Sequence, residues 1–253
     1  MDLRATGRSR HDDNNAYYAD LTLMLIAHRG DKSHHPENTL AAFEAAHSLG
    51  ACAIKCDVRI SADGTPWCFH GNTLRLPEAA EERPFHELRD RELRQSPLNT
   101  FAQLVDWASC HRHLDWFVEL AETSLAAAGA DVAVESVVDL MRRECESFAL
   151  LTGDHRSLRM ARSLGCHRVA LKVDSVAQCL SASVVTLAPD YVLIRDCDVE
   201  FEELPPGPWQ WVVYEINSAK DAVRWRVRGA HHILTGNLPL LMRSREASDV
   251  YGF

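Results

Sequence analysis

The sequence predicts a (β/α)8 barrel, a closed parallel sheet ringed by helices. Three observations carry that expectation. Eight short apolar runs alternate with amphipathic stretches from residue 21 to the C-terminus. The runs are nearly continuous in aliphatic residues, as strands buried on both faces must be. The length, 253 residues, is what one such barrel requires. Periodicity alone fits an open doubly wound sheet almost as well, and the count of eight runs favours the closed form.

In chain order the strand candidates are 22–27, 52–58, 116–120, 148–151, 168–171, 191–194, 211–216 and 232–234. The helical candidates between them are 39–49, 133–145, 157–164, 175–181, 218–228 and 238–245. Gly50, Gly165 and Gly229 follow three of these as stop signals. Asn38 and Asp154 precede two others as candidate N-caps. The stretch 63–110 breaks the alternation. It holds a short extended piece at 66–69, a segment rich in Glu and Arg, and a helical 101–110. It reads as an insertion between the second and third strands. Residues 1–20 are polar and contain no apolar core of a secretory signal, so they read as a flexible tail before a single domain spanning 21–253.

Composition excludes several classes. With 46 % hydrophobic and 25 % charged residues the chain is far from disordered or fibrous. Its 27 basic against 36 acidic residues give a net charge of −9, and a phosphate backbone needs the opposite balance, so nucleic acid is not an expected partner. The longest apolar run, 21–27, falls far short of the roughly 20 residues of a transmembrane span. The 8 cysteines are scattered, without the tight spacing of a zinc site. Unpaired thiols and no export signal predict a cytoplasmic protein.

Polar residues gather just after the strand candidates, on the face where barrel enzymes build their active sites. His28-Arg29-Gly30 follows the first strand, and Pro36-Glu37-Asn38-Thr39 comes soon after. The second strand ends in Lys55-Cys56-Asp57, and alternation puts Lys55 and Asp57 on one side. The next extended piece ends in His70, and the third strand carries Glu119. Two histidines, an arginine and several carboxylates on one rim suit acid–base chemistry on a phosphate. Simpler roles exist for some of them. Glu37 suits a helix dipole, Asn38 a cap, and Lys55 a counter-ion for Glu119.

Ile26-Ala27-His28-Arg29-Gly30, followed by Pro36-Glu37-Asn38-Thr39-Leu40-Ala41-Ala42-Phe43, resembles the opening of the glycerophosphodiester phosphodiesterase family. The likeness runs through Gly50, Ile54, Asp57-Val58-Arg59, Asp63-Gly64 and His70, dense over about 24–76 and thinner beyond. It implies a barrel fold and hydrolysis of a small-molecule phosphodiester to glycerol 3-phosphate and an alcohol. It implies His28 and His70 as acid and base, or as nucleophile and acid, Arg29 on the phosphate, and Mg2+ or Ca2+ held by Glu37, Asp57 and Glu119. Arg29, Lys55 and Asn38 are the expected substrate-binding residues.

Four positions depart from the family pattern. Lys55, Gly71, Ala121 and Gly236 stand where an acidic residue, an acidic residue, a lysine and an acidic residue are usual. Lys55 is the gravest, since it replaces a metal-ligand carboxylate with an ammonium. It either takes the cation's place between Asp57 and Glu119, or points elsewhere and leaves a weaker metal site, or marks a protein that binds a phosphodiester or phosphorylated ligand without cleaving it. The first is preferred, because an ammonium among carboxylates needs little rearrangement. Glu215 is a candidate for a relocated carboxylate, and Trp67 for the wall of an alcohol pocket.

Overall fold

In the computed structural model, residues 24–251 are described apart from 78, 145 and 201–202, so the predicted tail lies outside the described residues. The apolar runs become strands β1 (Met24–His28), β2 (Ala53–Ile60), β3 (Asp115–Leu120), β4 (Phe148–Thr152), β5 (Arg168–Val173), β6 (Tyr191–Arg195), β7 (Gln210–Tyr214) and β8 (His232–Thr235). Each pairs in parallel with the next, and β1 pairs with both β2 and β8, which closes the barrel. The doubly wound alternative is thereby set aside.

Alternation along each strand sorts the side chains into two layers. Ile26, Ala53, Phe117, Leu151, Ala170, Leu193, Val212 and Leu234 point inward and fill the barrel. Their neighbours, such as Ile54, Val118, Val169 and Val213, join the larger layer beneath the helices. Extending the inward set by two residues toward the C-terminal ends reaches His28, Lys55, Glu119 and Lys172, and a further step of two along β2 reaches Asp57. The barrel interior is therefore apolar below and charged at its upper rim.

Helix α1 (Leu40–Ser48) follows β1 and is capped by Thr39, whose Oγ1 accepts from the Ala42 amide at 3.2 Å. The cap is thus one residue later than the sequence indicates, because Asn38 is drawn into the site. Asp154 does cap the helix His155–Ser163, accepting from the Arg156 and Ser157 amides. Two helices escaped the periodicity reading, Glu122–Ala128 and Ala182–Leu187, both too short to show a repeat.

The insertion is present but shorter than 63–110. Its strand Pro66–Cys68 adds antiparallel to β2, with Val58 opposite Cys68. Trp67, Phe85, Leu88 and Leu93 then form a small separate core. Asp90 ties it together, accepting from Ser61, Thr65 and the Trp67 indole. Helix Phe101–Ala108 buries Phe101, Leu104, Val105 and Ala108 in the main core, so it is the crossover helix between β2 and β3.

Candidate active site

Strand register assembles the site. His28 lies opposite Lys55 across β1 and β2, and Asp57 lies opposite Glu119 across β2 and β3. The turn after β1 adds Arg29, and the loop before α1 adds Glu37 and Asn38. Both Arg29 (φ 66°) and Asn38 (φ 57°) are held in the left-handed region. Asparagine tolerates that conformation, whereas for arginine it is strained by about 1 kcal/mol or more. What holds both is Asp57. Arg29 Nε donates to its Oδ2 at 2.8 Å, and Asn38 Nδ2 donates to the same oxygen at 3.2 Å. The Asp57 amide donates back to Asn38 Oδ1 at 3.0 Å.

The carboxylates are matched to cations of the chain itself. Lys55 Nζ donates to Asp57 Oδ1 at 2.5 Å and lies 2.5 Å from Glu119 Oε2. Lys172 donates to Glu119 Oε1 at 2.9 Å. Arg29 Nη1 donates to both oxygens of Glu37 at 3.0 Å. Burial would raise the Asp57 carboxyl, but the Lys55 and Arg29 charges, with hydrogen bonds from Lys55 and Asn38, hold it well below the usual carboxylate range. Glu119 behaves alike: burial works against ionisation, and Lys55 and Lys172 outweigh it to bring the group down to about 2.

His28 and His70 open onto one cavity of about 730 Å³ at the barrel mouth, shared with Arg29, Lys55 and Lys172. Burial, then the charges of Lys55 and Arg29, lower His28 from 6.5 to about 2, so it is neutral at neutral pH. Burial and the Arg29 charge lower His70 as well. The His70 ring is half-exposed, with Nδ1 3.8 Å from Glu37 Oε1. Its carbonyl is gripped by Arg59, whose Nε donates at 3.2 Å and whose Nη2 donates to the same oxygen.

All the predicted site residues therefore converge, with one correction of role. The set expected to hold Mg2+ or Ca2+ does not fit a divalent ion. Every oxygen of Glu37, Asp57 and Glu119 already faces an arginine or lysine, and Lys55 Nζ stands between the two carboxylates that would face the ion. Three carboxylates against Arg29, Lys55 and Lys172 leave the cluster neutral. A divalent ion about 4 Å from Lys55 would meet a repulsion of roughly 8 kcal/mol at an effective dielectric of 20. Among the described residues, no group of three or more His, Cys, Asp or Glu side chains is arranged to hold a metal.

Glu215 does line the cavity, where it lies 3.7 Å from Arg195. One other expectation is also corrected. Trp67 is 2 % exposed, in the insertion core rather than the cavity wall. Sequence reasoning missed Lys172 and the role of Arg59. The alternation of Lys172 with Ala170 signals an inward position, but its meeting with Glu119, 53 residues away, needs the closed barrel.

A closed parallel barrel with histidines, cations and carboxylates gathered around a cavity at its C-terminal mouth defines the class: a barrel scaffold of the enzyme type. Residues 28–164 match the glycerophosphoryl diester phosphodiesterase family, and the chain belongs to it. A glycerophosphodiester phosphodiesterase of Caldanaerobacter subterraneus subsp. tengcongensis is 47 % identical over 51 residues, 20 % of this chain and 21 % of that protein. Glycerophosphodiester phosphodiesterase 1 of Rattus norvegicus is 45 % identical over 121 residues, 42 % of this chain and 36 % of that protein. The matches thus span about a fifth to a third of these relatives. An Oleispira antarctica phosphodiesterase, solved with the product sn-glycerol-3-phosphate, superposes with a TM-score of 0.72 at 17 % identity, covering 89 % of this chain and 96 % of that one. The glycerophosphodiester phosphodiesterase of Thermotoga maritima gives 0.71 at 18 % identity, covering 88 % and 98 %. At such identities the superpositions speak to the fold alone.

Proposed function

We propose that this chain hydrolyses a glycerophosphodiester at the barrel mouth, releasing glycerol 3-phosphate and an alcohol. The observation that supports this reading is the convergence of His28, His70 and Arg29 on one cavity within the segment that matches the family. His28 is unprotonated at neutral pH and takes a proton from water as the water oxygen bonds to phosphorus, the negative charge of a bound phosphodiester offsetting the Lys55 and Arg29 charges that weaken it as a base in the empty site. His70, nearer solvent, gives a proton to the departing alkoxide as its bond to phosphorus breaks. Arg29 has Nη2 left over from its ion pairs to place against the phosphoryl oxygens, where a planar guanidinium suits phosphate. Asp57 and Asn38 hold Arg29 in its strained turn, and Arg59 holds the His70 backbone. Such positioning and charge complementarity is most of what phosphoryl chemistry asks of a protein.

The seven described cysteines are all free, which supports the cytoplasm as the protein's place. No helix among the described residues is long and apolar enough to cross a membrane.

The test is release of glycerol 3-phosphate from a panel of glycerophosphodiesters by the wild type, His28→Ala and His70→Ala. Turnover by the wild type that falls at least about a hundredfold in each variant is expected, from the usual worth of a general acid or base. A second reading, a binding protein without turnover, is favoured by the saturation of every candidate ligand carboxylate by protein cations. Tight ligand binding with no product from any member of the panel would select it.

A further inference from the structure

Lys55 is the least expected residue at the mouth of the barrel, and its surroundings are unusually complete. Its side chain is 3 % exposed, yet it belongs to the cavity wall. It sits on the inward side of β2 between His28 across one ladder and the Asp57–Glu119 pair across the other. Asp57 and Glu119 claim at most two of its three N–H donors, so at least one stays available to a ligand oxygen. An ammonium buried to this degree persists only where opposite charge surrounds it. Here that charge comes from Asp57 on its own strand and Glu119 on the next.

The balance around it explains how the site holds together. Arg29, Lys55 and Lys172 offset Glu37, Asp57 and Glu119 one for one. Arg59 lies just behind His70 and adds a further positive charge whose Nη1 and Nη2 are engaged by Thr123 and the His70 carbonyl. Glu122, Asp174, Arg195 and Glu215 also line the cavity, so its charges nearly cancel, and a phosphodiester monoanion is met by individual donors rather than by a net positive field. A divalent ion would compete with Lys55 for both of its carboxylate partners.

We infer that Lys55 is the resident cation of this site: its ammonium takes a phosphoryl oxygen of the ligand directly, and the site works without a divalent metal. This rests on reading the cavity as a phosphodiester site. It goes beyond that reading by specifying which charge meets the phosphate. It also carries a structural corollary. The one substitution Lys55→Glu leaves three carboxylates facing a common point, which is an oxygen cage for a hard cation.

Two binding measurements on the full chain decide it, neither of which depends on turnover. The first titrates Ca2+ and Mg2+ by calorimetry and follows Tm. The wild type is expected to show neither heat nor a shift at millimolar metal, while Lys55→Glu binds Ca2+ with a stoichiometry of about one and gains Tm with its concentration. The second titrates sn-glycerol 3-phosphate in EDTA. The wild type is expected to bind it and to be unmoved by added Mg2+. Lys55→Met should weaken binding roughly 10- to 100-fold, the worth of one charge-assisted hydrogen bond, and Lys55→Arg should retain most of it.

Stoichiometric Ca2+ or Mg2+ binding by the wild type overturns the inference. So does glycerol 3-phosphate binding that requires metal, or that survives intact in Lys55→Met. Should Lys55→Met fail to fold, the wild-type titrations and Lys55→Arg still decide between a resident ammonium and a bound metal. Absence of hydrolysis with both binding results as expected would overturn the proposed function and leave Lys55 in its role. Hydrolysis that is lost in EDTA and restored by metal would do the reverse.

Discussion

His28 is the residue whose chemistry is most altered by its place. In the unfolded chain it takes a proton near its ordinary value of 6.5, and in the fold only near 2. Between those values the unfolded state binds the extra proton, so stability rises with pH and is lost on acidification below 6.5. The group contributes a slope of up to about 1.4 kcal/mol per pH unit. Urea unfolding of the wild type should therefore weaken from pH 6.5 to 5, and His28→Ala should flatten that part of the curve. Equal slopes in the two proteins would show that His28 is not buried against Lys55 and Arg29. Asp57 and Glu119 act lower down. Their folded values are depressed, so their contribution is complete above the ordinary carboxylate range and fades only under strongly acidic conditions. In the proposed reaction His70 sets the other edge of activity. Since its value is also lowered, the protonated form needed to protonate a leaving alkoxide is scarce at neutral pH. The profile of kcat/KM should peak on the acid side of 6.5 and decline above it, and a plateau reaching pH 8 would remove His70 from the acid role.

At the scale of the element, the turn between β1 and α1 sets the geometry of the site. Gly30 has φ +82°, and a Cβ there would lie 2.6 Å from the Ala42 backbone carbon and oxygen. The Asp31 amide donates to that same Ala42 carbonyl at 2.8 Å, so α1 is docked directly on the turn. Gly30→Ala combines left-handed strain with a clash that only backbone movement relieves. A loss of about 3 kcal/mol is expected from chemical unfolding, with Arg29 released from Asp57. The His28-Arg29-Gly30 triplet was legible in the sequence because glycine after two chemical residues marks a tight approach. That Arg29 would share the left-handed conformation was not legible. Nothing in an arginine announces it, and only the two-pronged hold of Asp57 and Glu37 makes it tolerable. The insertion shows the same limit. Its charged surface hid Phe85, Leu88 and Leu93, whose spacing is irregular because they cover one indole rather than a helix face.

At the scale of the whole molecule, closure of the barrel couples the apolar interior to the charged rim. Phe117 is 1 % exposed and packs edge-on against Tyr191 across the interior, with ring centroids 4.8 Å apart. It lies two residues below Glu119 on the same face of β3. Phe117→Ala should cost about 3–5 kcal/mol by leaving a cavity there. Val227→Ala, at a position 74 % exposed, should change stability by less than about 0.5 kcal/mol. Comparable losses in the two variants would mean that the interior is not a close-packed layer.

The sequence alone supplied the strand count, a parallel α/β pattern with the closed barrel favoured, the rim where polar residues gather, and, with the resemblance of its motifs, His28, Arg29, Glu37, Asn38, Lys55, Asp57, His70 and Glu119 as candidates. It could do so because period-two alternation and short motifs are local, and local pattern fixes which residues face inward. The tertiary structure decided how those charges pair. Lys172 meets Glu119 from two strands away, Arg59 reaches the carbonyl of His70, and Lys55 lies between two carboxylates contributed by neighbouring strands. Electrostatic balance in a buried site depends on distances of a few ångströms between residues far apart in the chain. Those distances exist only once the sheet has closed.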